Sequence, residues 1–312
     1  MTGMYKLAAI VGPTAVGKTN ISIKVALKLN GEIISCDSMQ IYRGMDIGTA
    51  KASMADRTLV PHHLIDFLDI DQEFSVADYQ REARKLVADL NARGKLPIMV
   101  GGTGLYYQSV VDNYKFFPLQ SHKPVREKWN QRIAEQGLEW AYQYLQKVDP
   151  GYAGIISSND QKRIVRALEV YELTGQPFSL QQEKDHKDYK VAAVGLCMDR
   201  EQLYDRINLR VEQMITDGLI DEVKMLMEKG YDLSHNPLQA LGYKQVYGYL
   251  KGFLTWEGMV GEIKRETRRY AKRQLTWFKK DPNIWWVDAT QYSESEMVEK
   301  ISDYIEGQFG GM

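Results

Sequence analysis

The chain has 312 residues, a formal net charge of -1 and 44% hydrophobic residues. Such a length can bury one full α/β core and still carry a second subdomain, and the composition excludes a largely disordered protein. Two distant cysteines, Cys36 and Cys197, predict buried thiols rather than a disulfide, and no signal peptide or membrane span is predicted, so we expect a cytoplasmic protein that does not contact a membrane.

The first predicted element is a strand from Leu7 to Val11, which leads directly into a glycine-rich loop. This loop, residues 12–19, reads Gly-Pro-Thr-Ala-Val-Gly-Lys-Thr and matches the complete G-x-x-x-x-G-K-[ST] pattern of a P-loop. A helical stretch from Asn20 to Leu29 follows. In this context backbone N–H groups can face an anion, Lys18 supplies positive charge and Thr19 offers a hydroxyl to Mg²⁺. The sequence therefore predicts a site for a di- or triphosphate.

Polar residues follow the next two predicted strands. The strand from Glu32 to Cys36 ends in Asp-Ser-Met-Gln-Ile-Tyr at residues 37–42. A helix is predicted from Ser75 to Arg93, and the strand from Leu96 to Val100 then runs into Gly-Gly-Thr-Gly at residues 101–104. This alternation predicts an α/β fold with a P-loop NTPase-like parallel sheet, in which the C-terminal strand ends face the ligand.

The strand before Gly101 lacks the carboxylate that ends a Walker-B strand in P-loop kinases and hydrolases. Thr103 can still offer a hydroxyl there. Asp37 is the acidic residue that the pattern places best for a role at the ligand-facing strand ends. In a kinase it would be a base for a substrate hydroxyl or a metal ligand. In a transferase it would be a base for another nucleophile. A helix cap or a turn is the structural alternative for Asp37.

The pattern changes in the middle of the chain. Residues 115–190 are predicted to form a mostly helical insertion domain, whereas residues 1–114 and 191–312 are predicted to form the P-loop-like core with C-terminal helices. A strand predicted from Val191 to Met198 returns the chain to this core. The helices predicted in and after the insertion span about Val125 to Lys147, Asp160 to Leu173, Arg200 to Lys229 and Thr255 to Lys280.

Two sets of basic residues lie on the predicted C-terminal helices. Arg206 and Arg210, at i and i+4, could clamp diphosphate oxygens or form ordinary solvated ion pairs. Residues 264–280 carry eight basic residues and one acidic residue, with aromatic residues interleaved. The members that would form one stripe are Arg265, Arg268, Arg269 and Lys272. Such a stripe suits an RNA backbone with stacked bases, although a solvated helix face is the alternative.

Taken in order, these segments resemble those of bacterial tRNA dimethylallyltransferases, also called isopentenyl-tRNA transferases. The segments that carry the resemblance are residues 12–19, 37–42, 101–106, 159–169, 206–211 and 272–278, which together span nearly the whole chain. Members of this family transfer the dimethylallyl group of dimethylallyl diphosphate to the exocyclic N6 amine of adenosine 37, next to the anticodon. Their substrates are tRNAs that read codons beginning with U. The resemblance implies that Mg²⁺ assists and that diphosphate leaves.

The resemblance also implies roles for individual residues. Asp37 would be the general base, Thr103 would lie at the reaction channel, and Thr19 would bind Mg²⁺. The diphosphate contacts would be Gly12, Pro13, Thr14, Ala15, Val16, Gly17, Lys18, Thr19 and Arg210. The contacts to the tRNA anticodon stem-loop would be Asp37, Ser38, Met39, Gln40, Thr103, Arg126, Gln161, Lys162, Arg163, Ile164, Val165, Gln239, Gly242, Tyr243, Lys244, Lys272, Arg273, Gln274 and Trp277. We expect the protein to be a monomer.

Three other interpretations share part of this pattern. A P-loop kinase of a small molecule would have the same loop and would consume ATP. A free-nucleotide isopentenyltransferase would share the loop and the base but would have little use for the insertion or the basic helix. A non-catalytic, nucleotide-gated RNA-binding protein would not need Asp37 as a base, so this residue discriminates between binding and catalysis.

Overall fold

A six-stranded parallel sheet forms the centre of the protein. The computed structural model describes residues 4–114, 116, 123–182 and 188–310. The strands are β1 Tyr5–Val11, β2 Gly31–Cys36, β3 His62–His63, β4 Leu96–Gly101, β5 Tyr189–Cys197 and β6 Ile284–Asp288. They lie in the order β3-β2-β4-β1-β5-β6, and all neighbouring pairs are parallel. This arrangement confirms the predicted α/β fold class.

The strand register brings three predicted ligand-binding segments to one edge of the sheet. Cys36 of β2 pairs with Gly101 of β4, and Gly101 pairs with Val11 of β1. The residues that follow these strand ends are Asp37, the Gly-Gly-Thr-Gly segment and the P-loop. Because the C-terminal ends of parallel strands meet at the same edge, these segments lie side by side.

The described residues outside the sheet form thirteen α-helices and the loops that connect them. In chain order they are α1 Lys18–Lys28, α2 Met54–Leu59, α3 Val76–Ala92, α4 Gly104–Val111, α5 Lys123–Gln136, α6 Leu138–Val148, α7 Pro150–Ala153, α8 Gln161–Thr174, α9 Arg200–Thr216, α10 Leu219–Glu228, α11 Tyr243–Leu250, α12 Trp256–Phe278 and α13 Glu294–Phe309. None of the helices in the described ranges has both the length and the apolar character needed to cross a membrane.

Two of the predicted helices are each divided into two. Gly137 separates α5 from α6, and Gly218 separates α9 from α10. The φ angles of these glycines are 91° and 103°, values that other residues rarely adopt. The helical periodicity continues on both sides of each glycine, which is why the sequence predicted one long helix in each case.

The central strand β1 shows why the core forms around the sheet. Ala8 and Ile10 pack into one apolar layer, whereas Leu7, Ala9 and Val11 pack into the other. All five side chains are fully buried. A strand covered on both faces reads as a continuous apolar run rather than an alternating one, and this is the pattern of the sequence before the P-loop.

The chain divides into two compact units. The first comprises Met1–Val111 and Lys187–Met312 and contains the sheet; the second is Asp112–His186 and contains α5 to α8. The second unit has its own apolar core, in which Trp129, Leu145 and Leu168 are buried. The insertion was predicted at residues 115–190, whereas the second unit spans Asp112–His186 and β5 begins at Tyr189. Residues 115, 117–122 and 183–187 of that prediction lie outside the described residues.

Candidate active site

The loop after β1 forms one wall of a cavity of about 570 Å³. The Nζ atom of Lys18 lies over the loop and donates hydrogen bonds to the carbonyl oxygens of Gly12 at 3.0 Å and Pro13 at 2.7 Å. Burial and the nearby charge of Arg210 lower the pKa of Lys18 to about 7, although the charge of Asp37 opposes the shift. A diphosphate bound at the loop would add negative charge here and favour the protonated amine.

Two arginines of α9 line the same cavity, as the i, i+4 spacing predicts. Arg206 is exposed, whereas Arg210 is partly buried. Burial lowers the pKa of Arg210, and the carboxylate of Asp37 opposes this shift. The cavity therefore places the cations of Lys18, Arg206 and Arg210 around one space, an arrangement that suits a multiply charged anion.

Thr19, at the start of α1, also lines this cavity. Within the described part of the chain there is no group of three or more His, Cys, Asp or Glu residues that could hold a metal ion. A Mg²⁺ ion at this cavity would take the Thr19 hydroxyl as a protein ligand and keep several water ligands. Mg²⁺ binds readily in this way, so the residues present fit the ion.

Asp37 lies where this cavity meets a second one of about 420 Å³. Thr14, Asp37, Thr49, Arg210 and Tyr270 line both cavities. The Oδ1 atom of Asp37 accepts a hydrogen bond from the N–H of Met39 at 2.9 Å. Burial raises the pKa of Asp37, although the hydrogen bond from Met39 and the charge of Lys18 oppose the shift. A carboxylate at this junction can face groups held in either cavity.

Thr103 stands beside Asp37 and is held by β2. Its Oγ1 atom accepts a hydrogen bond from the N–H of Ser38 at 3.1 Å, and its own N–H donates to the carbonyl of Cys36 at 3.0 Å. Tyr270 reaches the same place from α12. Burial raises the pKa of Tyr270, and a hydrogen bond with Thr103 opposes that shift. Tyr270 was not predicted as a site residue, because only the fold brings it to the junction.

Gln274 of α12 connects two loops that border the first cavity. Its Oε1 atom accepts a hydrogen bond from the N–H of Thr14 at 2.8 Å, and its Nε2 atom donates to the carbonyl of Gly102 at 3.0 Å. A Cβ atom on Gly102 would lie 1.9 Å from that Nε2 atom. The buried amide of Gln274 therefore joins the P-loop to the segment after β4, and its contact with tRNA stays a prediction.

Trp277, one turn further along α12, packs against the start of α4. A Cβ atom on Gly104 would lie 2.2 Å from Cδ1 of Trp277, so the glycine allows the indole to approach. The Nε1 atom of Trp277 is buried, and no hydrogen-bond partner for it occurs in the described structure. The glycines after β4 thus make room for α12 as well as for a ligand.

The second cavity is bordered by several of the predicted tRNA contacts. Those that line it are Asp37, Ser38, Met39, Gln239, Gly242, Lys244 and Arg273. The side chains of Gln239, Lys244 and Arg273 are exposed, and so is that of the neighbouring Lys272. Gln40 lines the first cavity instead. Seven of the predicted contacts of the sheet-containing unit therefore surround one cavity.

Three predicted tRNA contacts lie in apolar cores instead. Ile164 and Tyr243 have no exposed surface, and Val165 is 5% exposed. Side chains buried in this way cannot touch RNA, so the prediction for these three side chains is corrected. The helical period of α8 explains two of them, because Gln161, Lys162 and Arg163 are exposed on its first turn and the next two positions turn inward.

Arg126 lies in the second unit and is engaged by a buried carboxylate. Its Nε atom is 2.9 Å from Oε2 of Glu169, a side chain with no exposed surface, and Arg166 reaches the same oxygen at 2.8 Å. Removing either arginine would leave the charge of Glu169 less well compensated. Arg126 therefore has a structural role within this unit, and its contact with tRNA stays a prediction.

The basic stripe on α12 is partly neutralised. Arg269 pairs with Glu266 at 2.7 Å, and Arg265 pairs with Glu262 at 3.6 Å. Arg268 donates to Asn208 of α9 at 2.8 Å and lies over the ring of Tyr204. The free positive charge on this helix is consequently less than the sequence predicts and is concentrated toward its C-terminal half.

Comparisons with known proteins place this chain in a defined family. A family model described as IPP transferase matches residues 40–281. A tRNA dimethylallyltransferase of Syntrophomonas wolfei subsp. wolfei is 60% identical over 308 residues, which are 98% of this chain and 99% of that protein. Another tRNA dimethylallyltransferase, from Carboxydothermus hydrogenoformans, is 52% identical over 95% of this chain and 96% of that protein.

Solved structures of similar proteins have the same fold. The full-length tRNA isopentenylpyrophosphate transferase of Bacillus halodurans superposes with a TM-score of 0.74 at 44% identity, covering 97% of this chain and 96% of that chain. A eukaryotic dimethylallyltransferase, captured acting on tRNA, gives a TM-score of 0.74 at 30% identity, covering 91% of this chain and 74% of that chain.

Proposed function

Because this chain belongs to the IPP transferase family of tRNA dimethylallyltransferases, we propose that it transfers the dimethylallyl group of dimethylallyl diphosphate to the N6 amine of adenosine 37 in tRNA. The acceptors would be tRNAs that read codons beginning with U, and diphosphate would be released. The observation that carries this proposal is the position of Asp37 at the junction of two cavities. One cavity is lined by the P-loop and arginines, and the other is bordered by Lys244 and Arg273.

The first cavity would hold the donor diphosphate. Backbone N–H groups of the P-loop, Lys18 and Arg210 would surround its oxygens, and this positive surrounding stabilises the charge that develops on a leaving diphosphate. Mg²⁺, bound through Thr19, would neutralise further negative charge on the diphosphate. Since no γ-phosphate is cleaved, the reaction does not require the carboxylate that ends a Walker-B strand.

The second cavity would receive the adenine base. An amine within a stacked base cannot reach a buried carbon, so the nucleotide has to leave the stack, at a cost that is smaller in a single-stranded loop. Lys244, Arg273 and the adjacent Lys272 are exposed around this cavity and would contact the anticodon stem-loop. The exposed first turn of α8, with Lys162 and Arg163, would contribute further contacts.

The chemical step would take place between the two cavities. The N6 nitrogen attacks the allylic carbon, a nitrogen–carbon bond forms, and the bond from that carbon to the diphosphate oxygen breaks with its electron pair leaving on diphosphate. Asp37 accepts the proton that the amine loses. Its raised pKa suits a carboxylate that has to take up a proton. We propose that the protein does this as a cytoplasmic monomer.

The test is to incubate the purified protein with unmodified tRNA, dimethylallyl diphosphate and Mg²⁺ but without ATP. The RNA is then digested and its nucleosides are analysed by mass spectrometry. An adenosine that is heavier by one dimethylallyl group, located at position 37, is the expected product. Turnover of ATP on small substrates, with unmodified adenosine, would instead support a P-loop kinase and contradict the proposal.

A further inference from the structure

Glu222 of α10 has a carboxylate that lies inside the protein and accepts four hydrogen bonds. Its Oε2 atom accepts from the N–H groups of Asp46 at 2.8 Å and Ile47 at 2.7 Å. Its Oε1 atom accepts from the N–H of Gly48 at 3.1 Å and the hydroxyl of Tyr243 at 2.6 Å. Glu222 is 5% exposed. A buried carboxylate with this many donors holds them strongly, because each hydrogen bond involves a full charge.

The backbone that Glu222 holds belongs to a segment of the site, which we call the neck loop, residues 46–50. Thr49 in this loop lines both cavities, and Gly48 lines the second. The carbonyl oxygens of Thr49 and Ala50 accept hydrogen bonds from Nε2 of Gln40, at 3.1 Å and 3.4 Å. The neck loop therefore shapes the passage between the cavities and orients a side chain close to Asp37.

Tyr243 connects the same carboxylate to the wall of the second cavity. It is the first residue of α11, and its neighbours Gly242 and Lys244 line that cavity. The phenol ring packs so closely on the neck loop that a Cβ atom on Gly48 would lie 2.4 Å from Cε2 of Tyr243. Glu222 thus joins the neck loop to α11 through one side chain.

The diphosphate side of the site is held by different contacts. Gln274 joins Thr14 to Gly102, and Lys18 bonds to the carbonyls of its own loop. A change at Glu222 should therefore disturb the second cavity more than the P-loop.

We propose that Glu222 is a positioning residue that fixes the neck loop against α11 and thereby sets the shape of the second cavity, the acceptor cavity of the proposed reaction. This inference rests on the proposed function. Glu222 touches neither reacting group; it acts through the backbone of Asp46, Ile47 and Gly48 and through Tyr243. Its loss should impair use of tRNA while use of dimethylallyl diphosphate is retained.

The experiment is steady-state kinetics of Glu222→Gln with each substrate varied in turn. The oxygen of the glutamine amide can still accept hydrogen bonds from the N–H groups of Asp46 and Ile47. Its NH₂ group then faces the N–H of Gly48, and because both are donors, the hydrogen bond from Gly48 is lost. We expect KM for tRNA to rise about tenfold, since a less firmly held neck loop would keep the binding shape only part of the time. The KM for dimethylallyl diphosphate should change less than about twofold. The unfolding temperature should fall somewhat, because the buried N–H of Gly48 loses its acceptor.

Two further variants separate positioning from general stability. Gly48→Ala leaves Glu222 intact but places a methyl group against Tyr243, so it should reproduce the selective rise in KM for tRNA. Glu228→Gln is the matched control, because Glu228 is exposed on the same helix, and it should behave as the unaltered protein does. Equal rises in both KM values, or a lower unfolding temperature with unchanged kinetics, would overturn the inference. Absence of product with the unaltered protein would instead contradict the proposed function.

Discussion

Asp37, Lys18 and Arg210 shift one another's ionisation within one partly enclosed space. Burial raises the pKa of Asp37 and lowers the pKa values of Lys18 and Arg210, so it disfavours the charged form of each. The opposite charges of Asp37 and the two cations partly offset this effect. A bound diphosphate would add negative charge and favour the protonated form of each group.

Lys18 should make donor binding dependent on pH near neutrality. With a pKa of about 7, its amine is charged below that pH and becomes neutral above it in the empty site. We expect Kd for dimethylallyl diphosphate to increase as the pH rises above about 7, and binding there to take up a proton. Isothermal titration calorimetry in buffers of different ionisation enthalpy measures this uptake. Lys18→Met should bind weakly and show little proton uptake; an unchanged uptake would mean that another group titrates.

Asp37→Asn should abolish most of the transfer activity while substrate binding is retained. An amide cannot accept the proton from the amine, and losing a general base typically costs about 10²–10⁴-fold in rate. Because burial raises the pKa of Asp37, activity should decline on acidification at a higher pH than an exposed aspartate near about 3.9 would allow. Single-turnover rates with saturating tRNA measure both effects. Asp205→Asn, exposed on α9, is the control, and a fully active Asp37→Asn variant would disprove the assignment of the base.

At the scale of single elements, α12 combines three functions along its length. Its buried side contributes Gln274 and Trp277 to the P-loop and to α4, while Tyr270 lines both cavities. Its exposed side presents Lys272 and Arg273 next to the acceptor cavity. One helix therefore borders both cavities and also presents exposed basic residues.

Neutralising exposed and packed basic residues of α12 should have different consequences. Lys272→Ala removes an exposed charge and should weaken tRNA binding and reduce the slope of log affinity against log salt by about 1. Arg268→Ala should instead lower stability and leave the slope unchanged, because Arg268 is bonded to Asn208 and lies over Tyr204. Filter binding at several salt concentrations, with thermal unfolding in parallel, distinguishes the two. A salt slope for Lys272→Ala equal to that of the unaltered protein would show that Lys272 makes no phosphate contact.

At the scale of the whole molecule, the chain contains two units with separate apolar cores. The sheet-containing unit carries the P-loop, Asp37 and both cavities, whereas the unit Asp112–His186 carries the exposed basic turn of α8. Glu169 and Ile164 are fully buried inside this second unit. Damage to its core should therefore affect RNA binding without altering the diphosphate site.

Ile164→Ala tests this separation. Truncating a fully buried isoleucine should lower the unfolding free energy of the second unit by about 2–5 kcal/mol. Dimethylallyl diphosphate should bind with unchanged affinity. Denaturant unfolding followed by tryptophan fluorescence, together with calorimetric titration of the donor, measures both quantities. Lys162→Ala, exposed on the same turn, should leave stability unchanged while weakening tRNA binding, and a loss of donor affinity in Ile164→Ala would show that the two cores are coupled.

Some missed features had local signals and others had none. Ser293 and Glu296 form a capping box that marks the start of α13, a signal present in the sequence but not used in the prediction. The edge strand β3 has only two residues, too few for a periodic pattern. Tyr243 and Ile164 were assigned to tRNA by resemblance of the segments around them, and a segment match does not distinguish its exposed positions from its buried ones.

The P-loop, the central strands, the fold class and the family follow from the sequence alone, because each depends on neighbouring residues or on a short period along the chain. In contrast, three contacts became evident only from the packing of the folded chain: Gln274 with the P-loop, Glu222 with the neck loop and Arg268 with α9. Each of these side chains meets its partner across a long separation in sequence, between 60 and 260 residues. Such contacts depend on how helices pack around the sheet, which no local pattern encodes.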